Sequence, residues 1–235
     1  MRLAVYTPSV AMAIYAHPDD ADVAAGGLLA LWASMGASVH LVVLCDGSKG
    51  SHLSSDSTLA VAQTRREELL DAAALLGIRQ VHCLDYPDGE ISNDVTLRSS
   101  LVGLIREFRP VIVVAPDPTA TFFGGVYVNH RDHREAGWAV LDAVAPAAAM
   151  PLYFPAQGPA HRVETLLLSG THEPDVAVAI EPTIAAKVAA VLAHRSQMGD
   201  DAEGIAEVVR SRAAQAGRPV GVAYAEAFRS VELDA

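Results

Sequence analysis

Short apolar runs alternate with segments of helical period, which predicts an α/β fold: a mostly parallel sheet flanked by helices on both faces. Two further observations support that class. The runs Ala11–Ala16, Val39–Leu44 and Val111–Ala115 are apolar almost throughout, as in strands covered on both sides. A chain of 235 residues, 51% hydrophobic and 19% charged, can bury a large core without disulfides or a structural metal, and is incompatible with intrinsic disorder.

In chain order, Ala11–Ala16 is the first strand and Gly26–Met35 the helix after it. Val39–Leu44 is the second strand, closed by Asp46-Gly47. Ser48–Thr58, rich in serine and carrying Gly50 and Asp56, reads as a mobile loop. Leu59–Leu76 is a helix in which Arg65, Arg66, Glu67 and Glu68 lie near Leu69, Leu70, Ala73 and Leu76 at helical spacing, with Gly77 as C-cap. Val81–Leu84 is the third strand, followed by the turn Tyr86-Pro87-Asp88-Gly89. Val95–Phe108 is helical until Pro110 stops it. Val111–Ala115 is the fourth strand, Pro116–Asn129 a loop, and a helix runs from about Arg131 to Val144. Trp32 and Trp138 fall on helix faces that point to the core.

The pattern then changes. Leu152–Phe154, Val163–Leu168 and Val176–Ile180 read as strands with little helix between them, and Pro182–Arg195 as a helix. With no internal repeat and no linker, the sequence predicts one Rossmann-like domain over 1–235, with a core of about 11–145 and a mixed C-terminal extension of about 146–235.

The balance of 17 basic against 28 acidic residues gives a net charge of −11, which argues against a nucleic-acid partner. Cys45 and Cys83 sit inside apolar runs and read as core thiols. No uncharged apolar run reaches the roughly 18 residues of a membrane span. The N-terminal stretch runs directly into polar chemistry and reads as mature sequence, so a cytoplasmic location is expected.

In a doubly wound sheet, ligands bind beyond the carboxyl ends of the strands. His17-Pro18-Asp19-Asp20 follows the first strand, Asp46 the second, and Asp85 and Asp88 the third. The long loop after the fourth leads to His130-Arg131-Asp132-His133. His17 and Asp20, three apart at a strand-to-helix turn, can face one point, and His133 can join them from across the sheet. Two imidazoles, one carboxylate and an open position form a catalytic zinc arrangement, in which a bound water has its pKa lowered to about 7. Asp19 is then placed as general base, and His130, one helical turn before His133, to protonate a leaving amine or support an oxyanion. Either motif alone would read as an ordinary turn or helix cap; their joint placement points to a site.

Ala16-His17-Pro18-Asp19-Asp20 and His130-Arg131-Asp132-His133 resemble the paired motifs of the PIG-L/LmbE-like family of zinc-dependent N-acetylglucosamine deacetylases. The resemblance implies zinc on His17, Asp20 and His133, Asp19 as base, and His130 assisting the transition state. Weaker matches extend it over residues 11 to 198. Arg65-x-x-Glu68 resembles a family helix whose Arg contacts substrate, and Asp88 a substrate-contacting acid. Lys187 and His194-Arg195-Ser196-Gln197 resemble the closing helix. Arg131 stands where the family usually has Pro, and Val128 where some relatives have a Tyr, with Tyr127 one residue further away.

The implied activity is removal of an N-acetyl group from an amino sugar or glycoconjugate by attack of a metal-bound water. Cleavage of a larger acyl amide of a thiol-sugar or antibiotic conjugate is an alternative. A non-hydrolytic nucleotide-binding module is an alternative of another class, though no G-x-G-x-x-G is present. Iron(II) suits the same ligands as zinc. The expected partner is a small-molecule substrate, and assembly into a homo-oligomer is compatible with the family.

Overall fold

The computed structural model describes residues 1–233. Among these residues ten strands form: β1 Arg2–Leu3, β2 Val10–Tyr15, β3 Ser38–Cys45, β4 Gln80–Tyr86, β5 Ile112–Pro116, β6 Phe122–Phe123, β7 Tyr127–Val128, β8 Thr165–Ser169, β9 Val176–Ala179 and β10 Ala225–Glu232. The α-helices are α1 Asp20–Ser34, α2 Thr58–Leu75, α3 Val95–Phe108, α4 Arg131–Asp142, α5 Ile184–Ala193, α6 Arg195–Met198 and α7 Ala202–Gly217. All strands except the β6–β7 hairpin share one sheet, in the order β1-β9-β10-β8-β5-β2-β3-β4. Only β10 is antiparallel to its neighbours in it.

The period of two along β2 decides which helices it meets. Ala11, Ala13 and Tyr15 pack with α1, α2 and α5, whereas Met12, Ile14 and Ala16 pack with α3 and α4. Both faces are therefore covered, which is why the strand sequences lack a polar side. The chain leaves β2 toward β3 on one side and returns to β5 on the other, so strand order reverses between β2 and β5. A crevice opens at such a point. The β2–α1 turn and the β5–α4 connection both border it. Gly137 lets α4 come close to the sheet there, since a Cβ at this position would lie 2.6 Å from the Pro116 carbonyl oxygen.

Several expectations need correction. The first helix begins at Asp20 rather than Gly26, so Asp20 and Asp22 lie in its first turn, where carboxylates suit the helix dipole. The loop after β5 contains the β6–β7 hairpin. Trp32 is fully buried, but Trp138 is 44% exposed. Leu152–Phe154 forms no strand. Pro151 and Pro155 bracket it, and the buried Arg106 guanidinium draws the backbone carbonyls of Ala147, Ala148, Met150, Tyr153, Phe154 and Gly158 around itself. α7 and β10 are additional to the elements that local pattern predicts. β10 inserts between β8 and β9 and makes this end of the sheet mixed.

Candidate active site

The turn after β2 is closed by its own side chain: the His17 amide donates to Asp20 Oδ2 at 2.8 Å. That bond holds His17 and Asp20 on one side of the turn. α4 delivers His133 from across the crevice. His17 Nδ1 lies 3.0 Å from His133 Nε2 and 3.3 Å from Asp20 Oδ2, and His133 Nε2 lies 3.0 Å from Asp20 Oδ1. Neighbouring ligands on one tetrahedral ion, bound at about 2.0–2.1 Å, stand about 3.3–3.4 Å apart. The triangle is close to that size, so this donor set fits a metal ion.

The opposite ring nitrogens make the same point. His17 Nε2 faces Asp88 Oδ1 at 3.2 Å and Asp132 Oδ2 at 3.6 Å, and His133 Nδ1 lies 2.9 Å from Asn129 Oδ1. Carboxylate and amide oxygens hold a proton on each outer nitrogen and leave the converging lone pairs free for a cation. Asn129 itself is fixed by donating from Nδ2 to the Ala120 carbonyl.

Electrostatics agree. Burial disfavours an ionised Asp20, yet His133 and His17 hold it well below the usual carboxylate range. Burial likewise opposes charge on His17, but Asp20, Asp132 and Asp88 together raise its pKa. Asp88 is pulled down to about 2, its burial outweighed by His17 and the Lys49 amide. A buried group with this excess of carboxylate charge favours a cation. His130 also offers a ring nitrogen within 4.8 Å of His17 and His133. Its Nδ1, however, accepts the Asp132 amide at 3.2 Å as the N-cap of α4, which leaves Nε2 as the N–H donor.

Asp19 stands beside the triangle, held by an ion pair of 2.7 Å from Arg65 Nη2 to its Oδ1. Arg65 is buried and also donates to the Gly47 carbonyl at 3.1 Å. Asp88, only 6% exposed, lies behind His17. Asp46 ties its own loop to the turn after β4, accepting from the amides of Ser48 and Asp88. A cavity of about 690 Å³ is lined by Asp19, Asp20 and His133 together with the hairpin residues Phe123, Val126 and Tyr127 and Arg212 of α7. Of the site residues expected from the sequence, Asp19, Asp20 and His133 line it, and His17, His130, Arg65 and Asp88 do not.

The structure thus brings His17, Asp19, Asp20, His130 and His133 together, and sets Arg65 and Asp88 one layer behind. Sequence reasoning missed Asn129 and Asp132 as partners of the two imidazoles. Asn129 is four residues before His133, a spacing that could have flagged it.

An α/β sheet with a metal-competent His/Asp cluster at its switch point, a carboxylate beside it and an open cavity above defines an enzyme with hydrolytic equipment. The chain belongs to the PIG-L family: residues 12–144 match the family described as GlcNAc-PI de-N-acetylase. It is 32% identical to the diacetylchitobiose deacetylase of Thermococcus kodakarensis over 94% of this chain and 82% of that protein. Among solved structures, N,N'-diacetylchitobiose deacetylase from Pyrococcus horikoshii is similar with a TM-score of 0.87 and 31% identity, covering 96% of this chain and 84% of that one. GalB, the 4-carboxy-2-hydroxymuconate hydratase of Pseudomonas putida KT2440, is similar with a TM-score of 0.78 and 25% identity, covering 97% and 98%. The same architecture therefore also carries a hydratase, and the site has to argue the chemistry. Among the described residues no helix is long and apolar enough to cross a membrane.

Proposed function

We propose that the protein is a zinc-dependent N-deacetylase that hydrolyses the acetamide of an N-acetylated amino sugar or glycoconjugate. The observation that carries this reading is the triangle of His17 Nδ1, Asp20 Oδ and His133 Nε2, with edges of 3.0–3.3 Å and Asp19 alongside. Iron(II) would suit the same donors. The names of the family and of the relatives share N-acetylglucosamine, which supports a 2-acetamido sugar as the reacting part. The cavity volume suits a small glycoside. We take the chain as one working domain, since β8–β10 extend the sheet that carries the site and α7 contributes to its cavity; a cytoplasmic location is part of the same proposal.

A divalent ion held by His17, Asp20 and His133 would polarise the acetamide carbonyl and acidify a coordinated water. Asp19 takes the proton from the attacking water, its Oδ1 held by Arg65 while Oδ2 is left for that task. His130 donates from Nε2 to the developing oxyanion, its tautomer fixed by the helix cap. The proton on Asp19 then passes to the leaving amine, giving free amino sugar and acetate. Asp88 and Asp132 orient His17, and Asn129 orients His133. Arg65 acts on the base rather than on substrate.

Metal content of the wild type, His17→Ala and His133→Ala, followed by acetate release from a panel of N-acetyl amino sugars, tests the reading. About one equivalent in the wild type, lost in both variants, is expected. A metal-free wild type after reconstitution would refute it. Metal binding without amide hydrolysis would turn attention to hydration chemistry.

A further inference from the structure

The segment His194–Gln197 lines no part of the cavity, yet its polar groups reach three elements that meet at one ion pair. His194 is fully buried, and its Nε2 lies 2.7 Å from Asp22 Oδ2, in the helical turn that begins at Asp19. Ser196 donates to the Glu68 carboxylate from both its amide and its hydroxyl, each at 2.7 Å. Glu68 sits one helical turn beyond Arg65 on α2. Gln197 Nε2 donates to the Gly50 carbonyl at 2.9 Å. Gly50 lies against the Arg65 guanidinium: a Cβ there would come 2.5 Å from Arg65 Nη1 and 2.9 Å from Gln197 Oε1. Arg65 in turn grips Asp19 and the Gly47 carbonyl.

Keeping His194 and Asp22 in the core carries a desolvation cost, since His194 Nδ1 and Asp22 Oδ1 have no hydrogen-bond partner. An apolar pair would pack there without it. The Gly47–Gly50 backbone, outside any strand or helix, is anchored at Gly50 by Gln197, next to Arg65, while Asp46 and Asp88 accept the Ser48 and Lys49 amides. A catalytic group has to be held to within about 0.5 Å by the residues around it.

We infer that His194–Gln197 is a positioning element for the Asp19 carboxylate, acting through Asp22 on the turn that carries Asp19 and through the Gly47–Gly50 loop on Arg65. The inference rests on Asp19 being the base. The test measures kcat, KM and bound metal for Gln197→Met, Arg65→Gln and their combination, with Asp19→Asn alongside. Because a displacement of about 1 Å can cost about a hundredfold, Gln197→Met, which removes one of several anchors, is expected to lower kcat about tenfold with KM and metal unchanged. In the Arg65→Gln background the same change is expected to cost less than about twofold, because the route to Asp19 is already cut.

An unchanged kcat, multiplicative losses, or a loss confined to KM or metal would overturn the proposal. His194→Gln, which can still donate to Asp22, is expected to keep the turnover that His194→Leu loses; should His194→Leu fail to fold, the Gln197 cycle decides. Near-normal turnover in Asp19→Asn would instead overturn the base assignment, and the proposal with it.

Discussion

In Asp88→Asn the side chain keeps its size and loses its charge, and its two hydrogen bonds can no longer both survive. Asp88 Oδ1 faces His17 Nε2 at 3.2 Å, and Oδ2 accepts the Lys49 amide at 3.0 Å. Both partners are donors. An amide offers one acceptor, so its NH2 group must point at the other donor. A hydrogen bond to a charged group contributes about 1.5–3 kcal/mol. Asp132 Oδ2, 3.6 Å from the same His17 nitrogen, takes up part of the loss. A net cost of about 1.4 kcal/mol is therefore expected in the grip on His17. It corresponds to about tenfold weaker metal affinity, the lower end of the roughly 10–100-fold seen when a ligand's supporting partner is removed. Competition against a chromogenic chelator measures the affinity, and kinetics at saturating metal measure what remains. KM should hold at saturating metal. Unchanged metal affinity with KM raised tenfold or more would refute the reasoning, and would return Asp88 to the substrate-contacting role implied by the family resemblance.

Asn129→Ala removes the acceptor for His133 Nδ1 and should also weaken metal binding about tenfold, and Tm should fall as well because the buried Ala120 carbonyl loses its donor; equal metal affinity to wild type would show that His133 needs no support. Arg106→Met removes six hydrogen bonds to carbonyls, of which those of Ala148, Met150 and Phe154 keep a backbone amide, and should cost at least about 3 kcal/mol, or about 6–12 °C in Tm by scanning calorimetry. A shift under about 2 °C would mean that the 147–158 segment holds itself. The stacked His40 and His82 rings, packed on Phe108, are held below their ordinary value of 6.5 by burial, with Glu107 opposing. The unfolded chain therefore binds protons more readily, and stability present above that value is lost as the pH falls below it. Tm should drop between about pH 7 and about pH 5, and less steeply in His82→Gln. An identical pH dependence in that variant would rule the pair out as the cause.

Local sequence determined much of the frame. Almost wholly apolar runs located β2, β3 and β5, because strands covered on both faces need no polar alternation. The helix Val95–Phe108 was legible to the residue, since Pro110 and the helical period act at short range. His17-Pro18-Asp19-Asp20 and His130-x-x-His133 were legible as chemistry because each cluster is made within a few residues. Elements whose state depends on distant partners were not. Leu152–Phe154 has strand composition, but Arg106 of α3 takes its carbonyls. β10 is a strand because β8 and β9 leave a gap between them. The same holds inside the site. That Arg65 and Asp88 face Asp19 and His17 rather than the cavity was decided by helix α2 and strand β4 packing beside the β2 turn. Sequence carries the identity of a reactive side chain, but its direction is set only when the chain closes on itself.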